Sequence, residues 1–188
     1  GGREGPGDAG PADALPARFH GDILLSTGPV PKPGSVTVTY LGTSMLLIAD
    51  GNTQLLLNPL LSRPIDPAEA ARPNVADIDD AMKRTQASRI KAIFVAQANN
   101  RLGDATYIAR KTGATLYGPD AALAVGRADG VPETQLAAYE PETTIAVGKF
   151  RIKQIASKAA PISAGTPGSA GASTDFLISK GSRSLLVK

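Results

Sequence analysis

Between Ser35 and Leu57 three short strand-forming runs are packed around two turn signals, and this meander limits the fold more than any other stretch. Ser35 to Tyr40, Ser-Val-Thr-Val-Thr-Tyr, alternates polar and apolar residues and is rich in β-branched side chains. That is the pattern of a half-buried strand. Gly42 permits a turn, and Met45 to Ala49 is a continuous apolar run expected to form a more buried strand. Asp50-Gly51 is a hairpin signal. Gln54 to Leu57 is then the returning strand, ended by Asn58-Pro59.

After a proline-rich loop from Pro64 to Pro73 the pattern changes period. Val75, Ile78, Ala81 and Met82 recur at helical spacing and predict an amphipathic helix over Val75 to Gln86. Ile90 to Ala96 reads as a strand, and Gln97 to Arg101 as a polar loop. Asp104 is suited to cap a helix from Ala105 to Thr112, with Gly113 as its stop. Thr115 to Tyr117 predicts a short strand, Asp120 to Arg127 a helix, and Pro132 to Leu136 a helical turn. Two hairpins follow: Thr144–Val147 with Phe150–Ile155 through Gly148-Lys149, and Asp175–Ser179 with Ser184–Val187 around Gly181. Pro161 to Ser173 is a Gly/Ser/Ala-rich loop between them. Helices alternating with strands, followed by hairpins, define an α/β class with sheets covered by helices.

The 188 residues fit one domain with a substantial core. Gly1 to about Ala17 is rich in Gly, Ala, Pro and Asp, and buries too little apolar surface to offset its chain entropy. The cluster Pro29-Val30-Pro31-Lys32-Pro33-Gly34 is stiff and extended. Residues 1–34 are therefore expected to be a tail and linker suited to wrapping a partner, and residues 35–188 the folded domain. The chain begins Gly1-Gly2 without Met, as expected of a trimmed or mature form.

Several function classes are disfavoured by what the chain lacks. With no cysteine it has no disulfide, no Cys-ligated zinc and no thiol nucleophile. Its one histidine, His20, cannot by itself supply a mechanism needing two imidazoles. Aromatics at 4%, with no Trp, argue against a base-stacking nucleic-acid platform. The net charge of +3 comes without a Lys/Arg block, so a solvated surface is preferred to a nucleic-acid footprint. No apolar run reaches the roughly 18 residues needed to span a bilayer.

The order of elements and several local strings resemble the metallo-β-lactamase superfamily. Val38-Thr39-Tyr40-Leu41-Gly42-Thr43-Ser44-Met45-Leu46-Leu47-Ile48 is similar to that family's first hairpin. Leu57-Asn58-Pro59 is similar to the step that ends its next strand, where Asp is usual in place of Asn58. Ile93-Phe94-Val95-Ala96 is similar to the strand feeding its metal loop. Leu102-Gly103-Asp104-Ala105 and Ile108-Ala109-Arg110-Lys111-Thr112-Gly113-Ala114 are similar to the helix and turn after that loop. Ser157-Lys158-Ala159-Ala160-Pro161 stands where relatives carry a metal-binding His. The resemblance runs from about Ser35 to Lys188.

The family's loop, His-x-His-x-Asp-His, brings imidazoles from one strand exit onto zinc, which drives bound water toward hydroxide near neutral pH. The corresponding stretch here is Ala96-Gln97-Ala98-Asn99-Asn100-Arg101. Anchored on Leu102-Gly103-Asp104, the ligand positions hold Ala96, Ala98, Asn100 and Arg101. Anchored on Phe94-Val95-Ala96, the two His positions hold Gln97 and Asn99. Both registers stay open, and neither leaves a metal site: Ala has no donor, Asn and Gln amides are weak zinc ligands, and Arg101 is a permanent cation. Ala159 or Ala160 again stands where a His is expected. No cofactor is therefore expected.

Other residues invite sharper roles that are weaker than plain ones. His20 lies outside the family pattern and reads as a surface or packing residue. Asp77, Asp79 and Asp80 sit on the amphipathic helix and read as a solvated face rather than a hard-cation site. Ser44 has no histidine base and reads as a turn hydroxyl. Ser157 and Lys158 are adjacent, so on a strand they point to opposite faces. Asn99, Asn100 and Arg101 are polar donors that could hold an anion or a partner's carboxylate, or could simply have filled a loop released from metal binding.

The resemblance implies an αββα sandwich of the metallo-β-lactamase type, incomplete at the C-terminus of this chain, which supplies the first half and the start of the second. The expected function is that of a non-catalytic pseudoenzyme: a structural or protein-interaction subunit, paired with another chain, a homologous subunit or its own C-terminal segment. A hydrolase completed by catalytic groups from such a segment or partner is the first alternative. A binding module for an anion or small ligand in the vacated cleft is the second.

Overall fold

The computed structural model describes residues 34–42, 44–62, 72–96, 102–140, 143–156 and 174–187. The tail, His20, the 97–101 loop and the Pro161–Ser173 loop of the sequence reading lie outside these ranges.

Six strands form the first sheet in chain order: β1 (Thr37–Gly42), β2 (Met45–Ala49), β3 (Gln54–Leu57), β4 (Ile90–Phe94), β5 (Thr115–Gly118) and β6 (Leu136–Ala138). β1, β2 and β3 are the expected antiparallel meander. From β3 to β6 the pairing is parallel, with helices in the crossovers. These are α1 (Val75–Arg84), α2 (Gly103–Thr112) and α3 (Asp120–Ala128). A second, antiparallel sheet holds β7 (Thr144–Val147), β8 (Phe150–Ala156), β9 (Thr174–Lys180) and β10 (Arg183–Val187), in the order β10-β9-β8-β7.

The period of two along each strand sorts side chains into two cores. Leu47, Leu56, Ile93 and Leu116 face the helices and pack with Ile78, Met82, Ile108 and Ala122. Ile48, Leu55, Leu57, Ala92 and Phe94 face the second sheet and pack with Phe150, Ile152, Phe176 and Ile178. Phe94 anchors this layer, stacked on Tyr117 at 4.9 Å and edge-on to Phe176 at 5.7 Å. β3 is buried at every residue because both its faces are covered, which explains its unbroken Gln-Leu-Leu-Leu run. The described layers are thus helices, sheet and sheet.

One end of the sandwich is closed at the β2–β3 turn. The Asp50 carboxylate accepts from the amides of Thr53 (2.9 Å) and Asn52 (3.1 Å), and from Lys180 Nζ of β9 at 3.1 Å. Burial alone would raise the Asp50 carboxyl, but the Thr53 amide, Lys180 and the Asn52 amide outweigh it and hold it below the usual carboxylate range. Gly148, between β7 and β8, has φ +57° and lies so close to Thr53 that an added Cβ would sit 2.5 Å from its hydroxyl.

The structure corrects three details of the sequence reading. The helical turn expected over Pro132 to Leu136 is confined to Glu133–Gln135, and Leu136 instead opens β6. Val75 is at the first position of α1 and 43% exposed, so it is not part of that helix's buried face. Asp104 does not cap α2: the helix begins at Gly103 after Leu102, and Asp104 lies buried within its first turn. The acidic face of α1 is engaged in surface pairs: Asp79 with Lys111, Asp80 with Arg84, and Asp77 with the capping Asn74.

Candidate functional site

The carboxyl ends of parallel strands are where α/β sheets leave a crevice. Here the end opposite Asp50 forms that rim. Asn58 follows β3 in a left-handed conformation (φ 45°), which Asn tolerates better than most residues. Its amide donates to the Phe94 carbonyl, and its Oδ1 accepts from the Ala96 amide, both at 2.8 Å. The exits of β3 and β4 are thereby tied together. An Asp at this position could offer the same acceptor, so Asn58 keeps the contact and removes the charge.

The next residues are pinned one by one. The Leu60 amide meets Met45 Sδ at 3.3 Å. The amides of Leu61 and Ser62 both donate to Asp104 Oδ2, at 2.5 Å and 2.6 Å. Ser62 Oγ accepts from the Asn74 amide, the N-cap of α1, at 2.6 Å. Asp104 is 3% exposed, so its oxygen is committed to these amides rather than to solvent.

Tyr139, just after β6, places its hydroxyl 2.8 Å from the Val95 carbonyl and 3.0 Å from that of Tyr117. Burial pushes this hydroxyl well above its ordinary pKa, so it remains a neutral donor. Its ring lies 5.5 Å from Phe176 of β9. The start of β9 therefore sits against the exits of β4 and β5, and Gln154 Nε2 of β8 donates to Thr174 at 3.2 Å beside it. The topology thus brings the departure points of segments 97–101 and 157–173 to one rim.

Of the candidate positions, Ala96 is described, half-buried at the β4 exit with its amide held by Asn58. Gln97, Ala98, Asn99, Asn100, Arg101 and Ala159 lie outside the described residues. Ser62, Tyr139 and the anchoring role of Asp104 were missed by the sequence reading. Their partners are 12 to 44 residues away in the chain, and no local motif signals such contacts.

This architecture, two facing sheets with helices over the mixed one and a rim at the parallel strand ends, is shared with known structures. A metallo hydrolase from the hyperthermophilic archaeon Ignicoccus hospitalis aligns over 81% of this chain and 59% of its own, with 17% identity and a TM-score of 0.55. CmlA, a diiron β-hydroxylase from Streptomyces venezuelae, aligns over 84% of this chain and 30% of its own, with 20% identity and a TM-score of 0.54. A B3 metallo-β-lactamase with an active-site glutamic acid aligns over 92% of this chain and 65% of its own, with 20% identity and a TM-score of 0.50. The chain has the metallo-β-lactamase fold, and it spans less than two thirds of the length of each of these structures. No protein-family model and no curated protein matches the sequence.

The described residues do not by themselves make the metal centre that this fold implies. A zinc site of this type needs at least three His, Cys or carboxylate donors converging on one ion. Among the described residues no three such side chains come together. At the rim Ala96 offers no side-chain donor atom, Asn58 Oδ1 is bound to a backbone amide, and Asp104 Oδ2 already accepts from two. The chain contains one imidazole and no thiol.

Proposed function

We propose that this chain is a non-catalytic protein of metallo-β-lactamase fold, acting as a structural or protein-interaction subunit. The observation that carries this reading is the donor set of the rim: the contacts that shape it are made by backbone amides, an amide side chain and a buried carboxylate, with no metal-ligating group of three among the described residues. Residues 96–101 and Ala159 are its vestigial metal-loop positions, with Asn99, Asn100 and Arg101 as candidate partner contacts. Residues 1–34 are its tail and linker, and residues 35–188 its domain.

A partner surface is supported by the second sheet. On the face turned away from the inter-sheet core, Leu177 of β9 lies directly across from Leu186 of β10 and from Lys153 of β8, with Ile155 diagonal to it and across from Asp175. Leu186 is 46% exposed. The three α-helices pack on the far side of the first sheet, so among the described residues no helix covers this mixed apolar and charged face. Another protein chain, a homologous subunit or a further segment of the same polypeptide would bury it.

A second reading draws on the length comparison. The chain spans 30–65% of the similar structures, so catalytic or metal-binding groups from beyond residues 1–188, or from a partner, would make a hydrolase of the assembled protein. The two readings separate in a thermal-unfolding titration with zinc. A ligand bound only by the folded state raises the transition temperature as its concentration exceeds Kd. The pseudoenzyme reading predicts no shift with zinc up to solubility-limited concentrations, for the chain as its gene encodes it. A saturating upward shift would favour the hydrolase.

A further inference from the structure

The segment Asn58–Ser62 holds both ends of the loop that leaves β4 and enters α2. At one end Asn58 Oδ1 takes the Ala96 amide at 2.8 Å; at the other the amides of Leu61 and Ser62 take Asp104 at 2.5 Å and 2.6 Å. The segment is itself fixed. Each of its backbone N–H groups has a partner: Asn58 with the Phe94 carbonyl, Leu60 with Met45 Sδ, and Leu61 and Ser62 with Asp104, while Pro59 has none to satisfy. Ser62 Oγ extends the same network to the Asn74 amide at the start of α1.

We infer that Asn58–Ser62 is a splint that couples the exit of β4 at Ala96 to the first turn of α2 at Asp104, with Asn58 and Asp104 as its two positioning residues. The chemistry suits that task. A buried carboxylate accepting two amides is a strong, directional anchor, because removing it leaves both donors unsatisfied in a dry site. An Asn in the left-handed region turns the chain and presents its side chain to the neighbouring strand exit at once. One rigid segment bonded to both loop ends couples them, so loosening one end disturbs the other.

Native-state amide hydrogen exchange tests this directly on the whole chain. In the unaltered protein the amides of Leu61, Ser62 and Ala96 are expected to be protected. In Asp104→Ala, exchange at Leu61 and Ser62 rises at least about tenfold, the loss of one buried hydrogen bond. It also rises several-fold at Ala96, whose own hydrogen bond that substitution does not touch. Asp104→Asn, which keeps an acceptor, restores most of the protection. Asn58→Ala releases Ala96 and, to a lesser degree, Leu61; this variant carries the test if Asp104→Ala does not fold. Unprotected Leu61 and Ser62 amides in the unaltered protein, or an Ala96 amide indifferent to Asp104→Ala in a folded variant, would overturn the splint. The inference is independent of the metal question, and a chelator arm keeps them apart: exchange changed by EDTA would sink the non-catalytic reading and leave the splint to be judged by the variants.

Discussion

The two ends of the sandwich are fastened by different chemistry. At the closed end a charge pair joins the sheets, Asp50 on the first and Lys180 on the second, with Gly148 pressed against Thr53. At the rim the fastenings run from side chains to backbone amides within the first sheet and its helices, through Asn58 and Asp104. The closed end fixes how the sheets face each other and should respond to acid. The rim fixes where loops begin and end. In an active metallo-hydrolase a metal would also organise loops at such a rim; here Asn58, Asp104 and Tyr139, among the described residues, are engaged in structural hydrogen bonds.

The comparison can be broken first at what both ends depend on, the layer between the sheets. Phe94 is fully buried and contacts rings from both. Phe94→Ala is expected to cost about 3–5 kcal/mol in urea unfolding. A cost below about 1 kcal/mol would mean that the sheets do not share this core.

At the closed end, Asp50→Ala removes both the ion pair and the turn acceptor. About 2–4 kcal/mol is expected, since Lys180 and the Thr53 amide lose their partner in a largely buried site. Asp50→Asn should cost less, because an acceptor for the turn remains. The sign of the pH effect follows from the depressed Asp50 carboxyl. Its contribution is fully present above the ordinary carboxylate pKa and is lost as pH falls through the lower folded-state value. The asparagine variant should therefore lose less stability than the parent on acidification below about pH 4; equal acid slopes would contradict the assignment.

Gly148→Ala probes the same end more gently. The left-handed φ and the 2.5 Å approach to the Thr53 hydroxyl both oppose a side chain, and about 1–3 kcal/mol is expected. Thr53→Ala in the same chain should recover the steric share but not the backbone share. Smallest of all, Arg127→Ala breaks an exposed bidentate pair with Glu133 at neither end, and its unfolding midpoint should be indistinguishable from that of the parent.

Most of the strands were legible in the sequence, because β-branched runs and turn pairs are local signals. Asp50-Gly51, Gly148-Lys149 and Gly181 mark three hairpins, and all three turns contain a glycine at positive φ. β6 was not legible: three residues, Leu-Ala-Ala, carry no alternation, and they form a strand only because β5 offers a parallel edge. Asp104 looked like a cap because position before an apolar run is all the sequence reveals; its partners are 42 and 43 residues earlier. The resemblance located the rim through Asn58 and Ala96, but not the hydrogen bond that joins them. Such contacts depend on how two strand exits meet in space, and the linear pattern does not carry that.

The central claim, that this rim works without a metal, is tested most directly by elemental analysis of the purified protein as its gene encodes it, after dialysis at neutral pH. The account predicts zinc, iron and manganese each far below one atom per chain. A stoichiometric metal that survives dialysis would contradict it, and would show that ligands reach the rim from residues beyond those described.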